Sequence, residues 1–139
     1  MVNYGLEGRV ALVTGANNPE GNGATTALAF AREGAKVVLV YKKIVRAFDA
    51  GKTDKCGADR YFAHNASDAG KVEEMLKAID ADYLVIEVDI SDEDSVKEIE
   101  EKDGVGSLNA PFYRSAVISV DYPRLKGKQL TEPLVKLLA

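Results

Sequence analysis

The sequence predicts an α/β fold, with a parallel β-sheet in a three-layer α/β/α arrangement and one domain over residues 1–139. Two apolar, β-branched runs, residues 9–14 (RVALVT) and 36–41 (KVVLVY), lack polar alternation, which is typical of strands buried on both faces. A glycine-rich turn and an Ala-rich helical segment separate them. A third run, residues 83–88 (YLVIEV), follows another helical segment, and such β-α alternation indicates a parallel sheet.

The first β-α-β unit is compact. Residues 15–23 (GANNPEGNG) supply turn residues, and residues 24–33 contain strong helix formers. Gly34 follows where helices commonly end. The second strand, residues 36–41, completes the unit, and we expect its crossover to be right-handed.

The next segment is less regular. Residues 42–65 show no clear period, and we interpret them as a long surface loop. Apolar residues then recur at helical spacing from Val72 to Ile79, with Asn65 or Ser67 available as the N-cap. This predicted helix leads into the third strand.

A second helix and a fourth strand are predicted beyond it. Ser91 and Asp94 resemble a capping box that opens a helix to about Glu101. Residues 116–120 (AVISV) are predicted to pair with the first strand, which gives the strand order 3-2-1-4. We expect the first strand or its neighbour to be left as an open sheet edge, and therefore a homo-oligomer that covers it.

Charge and composition exclude several classes of function. The chain of 139 residues has a formal net charge of -4, which argues against binding to nucleic acid. Residues 1–60 hold 9 Lys/Arg against 6 Asp/Glu, so this half is the better host for an anionic ligand. No segment approaches the length of a membrane span, and we expect a cytoplasmic protein. Cys56, the single cysteine, forms no internal disulfide and is expected to be a free, inert thiol.

The glycine-rich turn carries the main functional signal. Gly15, Gly21 and Gly23 lie between a buried strand and a helix, where glycines allow a tight turn and a close approach to a pyrophosphate. The helix N-terminus beyond them offers unpaired N–H groups to phosphates. This context predicts a Rossmann-like dinucleotide site, against the alternative that the glycines only form turns.

The segment LEGRVALVTGANNPEGNGATTALAFAREGAKVVLVYKK resembles the opening of the short-chain dehydrogenase/reductase family. The family pattern is Thr-Gly, three residues, Gly, one residue, Gly. Here five residues separate Thr14-Gly15 from Gly21, so the loop is two residues longer. Asn22 stands where the family usually has Ile or Leu.

A second segment, Val88 to Ser91, resembles the family's Asp-Val/Ile-Ser/Thr signature, whose Asp and following backbone contact the adenine. The resemblance covers residues 6 to about 101, with a divergent tail over residues 102–139, and implies a truncated member. The expected cofactor-binding residues are Gly15, Asn17, Gly21, Asn22, Gly23, Tyr41, Lys42, Lys43, Asp89 and Ile90.

The end of the second strand indicates which dinucleotide is preferred. NAD-binding sites of this type place an acidic residue there, whereas a 2′-phosphate needs cations. This chain has Tyr41-Lys42-Lys43, with Arg46 nearby. We therefore favour NADP(H) over NAD(H), with solvated loop charges as the alternative.

The family resemblance implies a Ser-Tyr-Lys catalytic group. Tyr122 and Lys126 have the family's spacing of four, and an ammonium beside a phenol favours the phenolate. Pro123 between them is unfavourable within a helix, and the family's serine position holds Asn109. A catalytic pair acting on a carbonyl or alcohol and an unrelated surface Tyr and Lys both stay open.

Three functions follow from these patterns: an oxidoreductase, a catalytically inactive dinucleotide-binding module, and a module that acts through association. No metal site is expected, because His64, the single histidine, lacks partners at ligand spacing and is interpreted as loop surface. Tyr61 and Phe62 are expected in a core or an interface, with the capping of an adenine or substrate pocket as the alternative.

Overall fold

The structure, a computed structural model, describes residues 2–95 and the backbone of residues 116–119. The strands in this part of the chain are β1 (Val10–Thr14), β2 (Lys36–Tyr41), β3 (Tyr83–Glu87) and β4 (Ala116–Ser119). The helices are α1 (Asn22–Arg32), α2 (Ala58–Asn65) and α3 (Gly70–Ala78), with a short 3₁₀ turn at Ala50–Lys52.

The four strands form one parallel sheet in the order β3-β2-β1-β4. Leu12 in β1 is paired with Val38 in β2 on one side and with Val117 in β4 on the other. The predicted strand order 3-2-1-4 is therefore confirmed, including the position of the fourth strand. Since β1 has partners on both sides, the edge strands of the described sheet are β3 and β4.

The core lies between this sheet and two helices. Val13, Val37 and Leu39 point to the same face, where they pack with Ala27 of α1 and Leu76 of α3. Burying apolar side chains here, at about 25 cal/mol per Å² of surface removed from water, is the main source of stability.

The opposite face of the sheet is also buried. Leu12, Val38 and Val40 alternate with the first set along their strands, and each is fully buried. Because both faces are buried, the sequences of these strands are unbroken apolar runs. The chain has the α/β, Rossmann-like fold that the sequence predicts.

Helix α1 begins two residues before its predicted start and ends at Arg32. Gly34 has φ +85°, a left-handed conformation that favours glycine, and its N–H donates to the Ala31 carbonyl. The predicted stop at Gly34 is therefore confirmed. The turn returns the chain directly to β2.

The prediction of a long loop over residues 42–65 is wrong. The segment contains the 3₁₀ turn and the helix α2, in which no residue is fully buried. The helix has only eight residues, fewer than the span over which a helical repeat of apolar positions is recognised in a sequence. Polar contacts attach it to the glycine loop.

Neither of the two predicted helix caps is found at its expected residue. Helix α3 begins at Gly70 with Ala69 as its N-cap residue, so neither Asn65 nor Ser67 caps it; the Asp68 carboxylate accepts the Gly70 N–H at 2.9 Å. Beyond β3, helical residues start at 93, directly after Asp92 rather than Ser91. The hydroxyl of Ser91 donates to Asp89 at 2.6 Å.

Several predictions concern residues that the structure does not describe. The predicted helix to Glu101 lies partly outside the described residues, and Tyr122, Lys126 and Asn109 lie wholly outside them. Within the described ranges, no helix is long and apolar enough to cross a membrane.

Candidate functional site

The glycine loop between β1 and α1 has a defined turn at its centre. The Gly21 N–H donates to the Asn18 carbonyl at 3.0 Å, which closes a β-turn with Pro19 at its second position. The Asn18 side chain accepts the Glu20 N–H at 2.9 Å. The two additional residues of this loop are thus accommodated in a tight turn.

Two of the glycines are required for steric reasons. Gly15 has φ +67°, so the chain leaves β1 in a left-handed conformation. A Cβ at Gly23 would lie 2.5 Å from the Gly15 carbonyl oxygen. Gly23 therefore lets the first turn of α1 approach the end of β1, which places the helix N-terminus at the mouth of the loop.

The N-terminus of α1 has no side-chain cap. Its N-cap residue, Gly21, makes no side-chain hydrogen bond, and the first turn contains no acidic residue. The first N–H groups of a helix have no partner within it, and the helix dipole gives this end a partial positive charge. The described structure therefore presents an electropositive helix terminus that suits an anion.

This terminus opens into a cavity of about 290 Å³, which we call the loop cavity. Its lining residues come from the glycine loop, the segment after β2, and α2: Gly15, Asn17, Asn18, Glu20, Gly21, Asn22, Gly23, Lys42, Ile44, Tyr61 and Asn65. Tyr61 is 54% exposed, so it belongs to the wall of this cavity and not to the core.

A second cavity of about 360 Å³, the strand-end cavity, lies at the carboxyl ends of β1, β2 and β3. Its lining residues are Thr14, Gly15, Val40, Tyr41, Lys42, Lys43, Ile44, Val45, Val88, Asp89, Ile90 and Ser91. The two cavities share Gly15, Lys42 and Ile44, so they adjoin. All ten predicted cofactor-binding residues line one or both of them.

Lys42 and Asp89 meet across the strand-end cavity. The Lys42 ammonium lies 2.5 Å from Asp89 Oδ2, and Ser91 donates its N–H and hydroxyl to Oδ1 at 3.0 and 2.6 Å. The hydrogen bond from Lys42, followed by those from Ser91, lowers the pKa of Asp89 to about 2. The carboxylate is therefore ionised at neutral pH, and its acceptors are already engaged.

The other two predicted residues at the end of β2 are also paired. Lys43 Nζ lies 3.7 Å from Glu87 Oε2, and the Tyr41 hydroxyl donates to that oxygen at 3.3 Å. Burial and the Glu87 carboxylate raise the pKa of Tyr41, so its hydroxyl remains protonated. No acidic residue stands directly after β2, but acidic side chains of β3 and its following turn reach this edge.

Helix α2 is attached to the glycine loop at two points. The guanidinium of Arg60 donates from Nε to both oxygens of Glu20, at 2.9 and 2.8 Å, and from Nη2 to Oε1. The Asn17 amide donates to the carbonyl oxygens of Asn65 and Ser67 at 3.2 and 2.9 Å. The Asn17 side chain thereby connects the glycine loop to the C-terminal end of α2.

His64 lies in α2 and not in a surface loop. Its side chain is 13% exposed, and Nε2 is 3.6 Å from Glu20 Oε2, beyond hydrogen-bond distance. Burial lowers the pKa of the imidazole, so His64 is neutral at pH 7. Among the residues that the structure describes, no group of three His, Cys, Asp or Glu side chains comes together as a metal site.

Sequence patterns missed Glu20, Arg60 and Ile44 as residues of this region. Glu20 and Arg60 are forty positions apart, and no spacing rule connects two charges through an irregular segment. The available signal was the position of Glu20 inside the lengthened glycine loop.

Comparison with known proteins agrees with this architecture. No family model matches the chain. Versicolorin reductase 1 of Aspergillus parasiticus is 34% identical over 97 residues, which cover 70% of this chain and 28% of that protein. The values for versicolorin reductase stcU of Emericella nidulans are the same. The chain thus spans less than a third of the length of these curated relatives.

Solved structures of short-chain dehydrogenases are also similar to this chain. A short chain dehydrogenase from Mycobacterium paratuberculosis bound to NAD is 27% identical, with a TM-score of 0.51 over 75% of this chain and 34% of that one. Carveol dehydrogenase from Mycobacterium avium in complex with NAD, at 21% identity, has a TM-score of 0.53 over 75% of this chain and 33% of that one, which shows the shared fold. The chain therefore belongs to the short-chain dehydrogenase/reductase family.

Proposed function

We propose that this chain binds a nicotinamide dinucleotide along the two adjoining cavities, as the cofactor of an oxidoreductase that acts on a carbonyl or an alcohol. One observation carries the proposal: the uncapped N-terminus of α1 opens into a cavity that adjoins the carboxyl ends of the parallel strands. In open α/β sheets, ligands bind in such a crevice.

The residues present fit a dinucleotide. Asn22 and Gly23, in the first turn of α1, line the loop cavity, and the backbone N–H groups of a helix N-terminus suit a diphosphate. Asp89 and Ile90 line the strand-end cavity, which suits the adenosine half. When bound, the nicotinamide supplies a hydride acceptor or donor. The chain's own contribution is to bind and orient the diphosphate and the adenosine half of the cofactor.

The relatives support the same ligand class. The curated relatives are named reductases, and the Mycobacterium paratuberculosis structure holds NAD. We carry this ligand over to the present chain because its glycine loop and β3 turn line adjoining cavities of the required kind.

We propose NADP(H) as the preferred cofactor. Lys42 and Lys43 line the strand-end cavity, directly after β2. Their ion pairs with Asp89 and Glu87 join side chains that are 36% to 57% exposed, and exposed pairs contribute only about 0–1 kcal/mol. A 2′-phosphate can therefore displace the carboxylates at small cost and gain charge-assisted hydrogen bonds.

Tyr122 and Lys126 are proposed as the residues that move the substrate proton. The alternative function, binding of a dinucleotide without turnover, is favoured by Pro123 between them and by Asn109 at the family's serine position. Oxidation of NADPH with a panel of aldehydes and ketones separates the two functions. Formation of a homo-oligomer through an open edge of the sheet is proposed with either function.

Asn22→Asp tests the dinucleotide site. A carboxylate in the first turn of a helix interacts favourably with the helix dipole, so we expect an unchanged or higher melting temperature. The same charge lies in the loop cavity and repels a diphosphate, so we expect NADPH affinity to fall by about tenfold or more in a calorimetric titration.

Ala29→Asp is the matched control, because it adds the same charge on an exposed position of α1 outside the cavity. An Asn22→Asp variant that binds NADPH as tightly as this control would contradict a diphosphate site at the helix terminus.

A further inference from the structure

Glu20 creates an electrostatic conflict at the proposed diphosphate site. Its side chain lines the loop cavity together with Gly21, Asn22 and Gly23, and it is 49% exposed. The hydrogen bond from Arg60 is the main factor that lowers the pKa of Glu20, so this carboxylate stays ionised at neutral pH. An unpaired negative charge at this position would repel the phosphates that the helix terminus attracts.

Arg60 is held in a geometry that removes the conflict. Its guanidinium binds both Glu20 oxygens from one side, and Nη1 donates to the Thr53 carbonyl at 3.2 Å on the other. The Arg60 side chain is 32% exposed, compared with 49% for the Glu20 side chain. A bidentate contact between Arg and a carboxylate fixes orientation as well as charge.

The remaining neighbours of Glu20 do not supply the same charge. His64 lies 3.6 Å from it, but its lowered pKa leaves the imidazole neutral at pH 7. Lys71 contributes only a weaker attraction through space. The Asn17 amide, which binds Asn65 and Ser67 at the end of α2, restrains the loop without adding charge.

We infer that Arg60 is a positioning residue for dinucleotide binding: it neutralises Glu20 and orients that carboxylate, so that the N-terminus of α1 can accept the diphosphate. This inference rests on the proposed function. It predicts that Arg60 is needed only while the Glu20 carboxylate is present, because its effect on the ligand passes through that charge.

A double-mutant cycle on the full chain tests the inference. The variants are Arg60→Gln, Glu20→Gln, both together, and Arg60→Lys, and the probes are NADPH, ADP and adenosine. ADP and adenosine are measured by competition against NADPH fluorescence. We expect Arg60→Gln to weaken NADPH and ADP by about tenfold and adenosine by less than about twofold, since adenosine carries no phosphate.

The double variant decides the mechanism. We expect it to bind ADP within about threefold of the wild type, because removal of both charges removes the conflict. Arg60→Lys retains the charge and is expected to keep most of the affinity. Lys52→Gln is the matched control: it removes a cation from an exposed pair with Asp49 that does not line the loop cavity, and ADP affinity should not change.

Failure of the Arg60 inference can be distinguished from failure of the proposed function. An Arg60→Gln variant with wild-type ADP affinity, or a double variant as weak as the single one, overturns the inference and leaves the proposed function intact. A wild-type chain that binds neither NADPH nor ADP overturns both.

Discussion

Lys42 and Lys43 are the residues on which the proposed preference for NADP(H) depends. Each is an exposed cation that lines the strand-end cavity; Lys42 pairs with Asp89 of the same cavity, and Lys43 pairs with Glu87 at the end of β3. Their ammonium groups lie on flexible side chains, so they can exchange a weak protein partner for a phosphate. The sequence identified both residues, but the carboxylates that engage them come from β3 and its following turn.

Lys42→Ala/Lys43→Ala is expected to weaken NADPH by about tenfold or more, because charge-assisted hydrogen bonds contribute about 1.5–3 kcal/mol each. NADH lacks the 2′-phosphate, so its affinity should change less than about threefold. Fluorescence titrations of both cofactors measure the ratio. An equal loss for the two cofactors would place the effect on Asp89 and the adenosine site rather than on a 2′-phosphate.

His64 gives the protein a pH dependence of stability near neutrality. Burial lowers its pKa below the usual 6.5, opposed in part by the attraction of Glu20 and assisted by the cations Lys71 and Arg60. Since the unfolded chain binds this proton more readily, the stabilising contribution is full above pH 6.5 and is lost as the pH falls through the folded-state pKa.

His64→Gln tests this contribution by urea unfolding between about pH 7.5 and 5.5, a range in which histidine is the side chain that ordinarily titrates. The chain has a single histidine, so the variant should flatten the decline in the free energy of unfolding on acidification. A variant whose decline matches that of the wild type would show that His64 is not the group responsible.

At the scale of elements, the β1-α1-β2 unit depends on one close backbone approach, between Gly23 in α1 and Gly15 after β1. In most helices, replacing Gly by Ala is favourable by about 1 kcal/mol. Here the new methyl group would meet a backbone oxygen that cannot rotate away, at 2.5 Å. Whether a Gly23→Ala substitution raises or lowers the free energy of unfolding therefore reports on the packing of α1 against the sheet.

Gly23→Ala is expected to lower the free energy of unfolding by about 1–3 kcal/mol, as overpacking typically does. Gly70→Ala, at the start of α3, is the control, because its Cβ would meet only the Asp68 carboxylate, a movable side chain, at 3.0 Å. Thermal unfolding of the two variants gives the comparison. If Gly23→Ala were as stable as the wild type, the close approach would not be the reason for a glycine there.

The sequence predicted those elements that bury apolar faces. All four strands and α1 lie within about two residues of their expected positions, because unbroken apolar runs and a glycine stop are local signals. Helix α2 buries no residue fully and is attached to the loop through Arg60 and Asn17, partners that are distant in sequence. Its eight residues are too few for a helical repeat of apolar positions to be recognised in the sequence.

The same limit applies to the site. The glycine loop and the Asp89 turn could be predicted, since each follows directly after a buried strand. The ion pair between Glu20 and Arg60 could not be predicted, because it requires α2 to lie against the glycine loop. The pairing of Lys42 with Asp89 likewise depends on β2 and β3 being neighbours.

At the scale of the whole molecule, strand order determines where a ligand can bind. The chain runs from β1 through β2 to β3 on one side and returns to β4 on the other, so the order changes direction at β1. Crevices form at the carboxyl edge of the sheet at such a point. Gly15 follows β1 at that edge and is common to both cavities.

The central claim, that this crevice holds a nicotinamide dinucleotide, is tested most directly by fluorescence titration of the purified chain with NADPH and NADH in parallel. We predict saturable binding of both cofactors, with NADPH bound more tightly. Absence of saturable binding of either cofactor at millimolar concentration would contradict the claim.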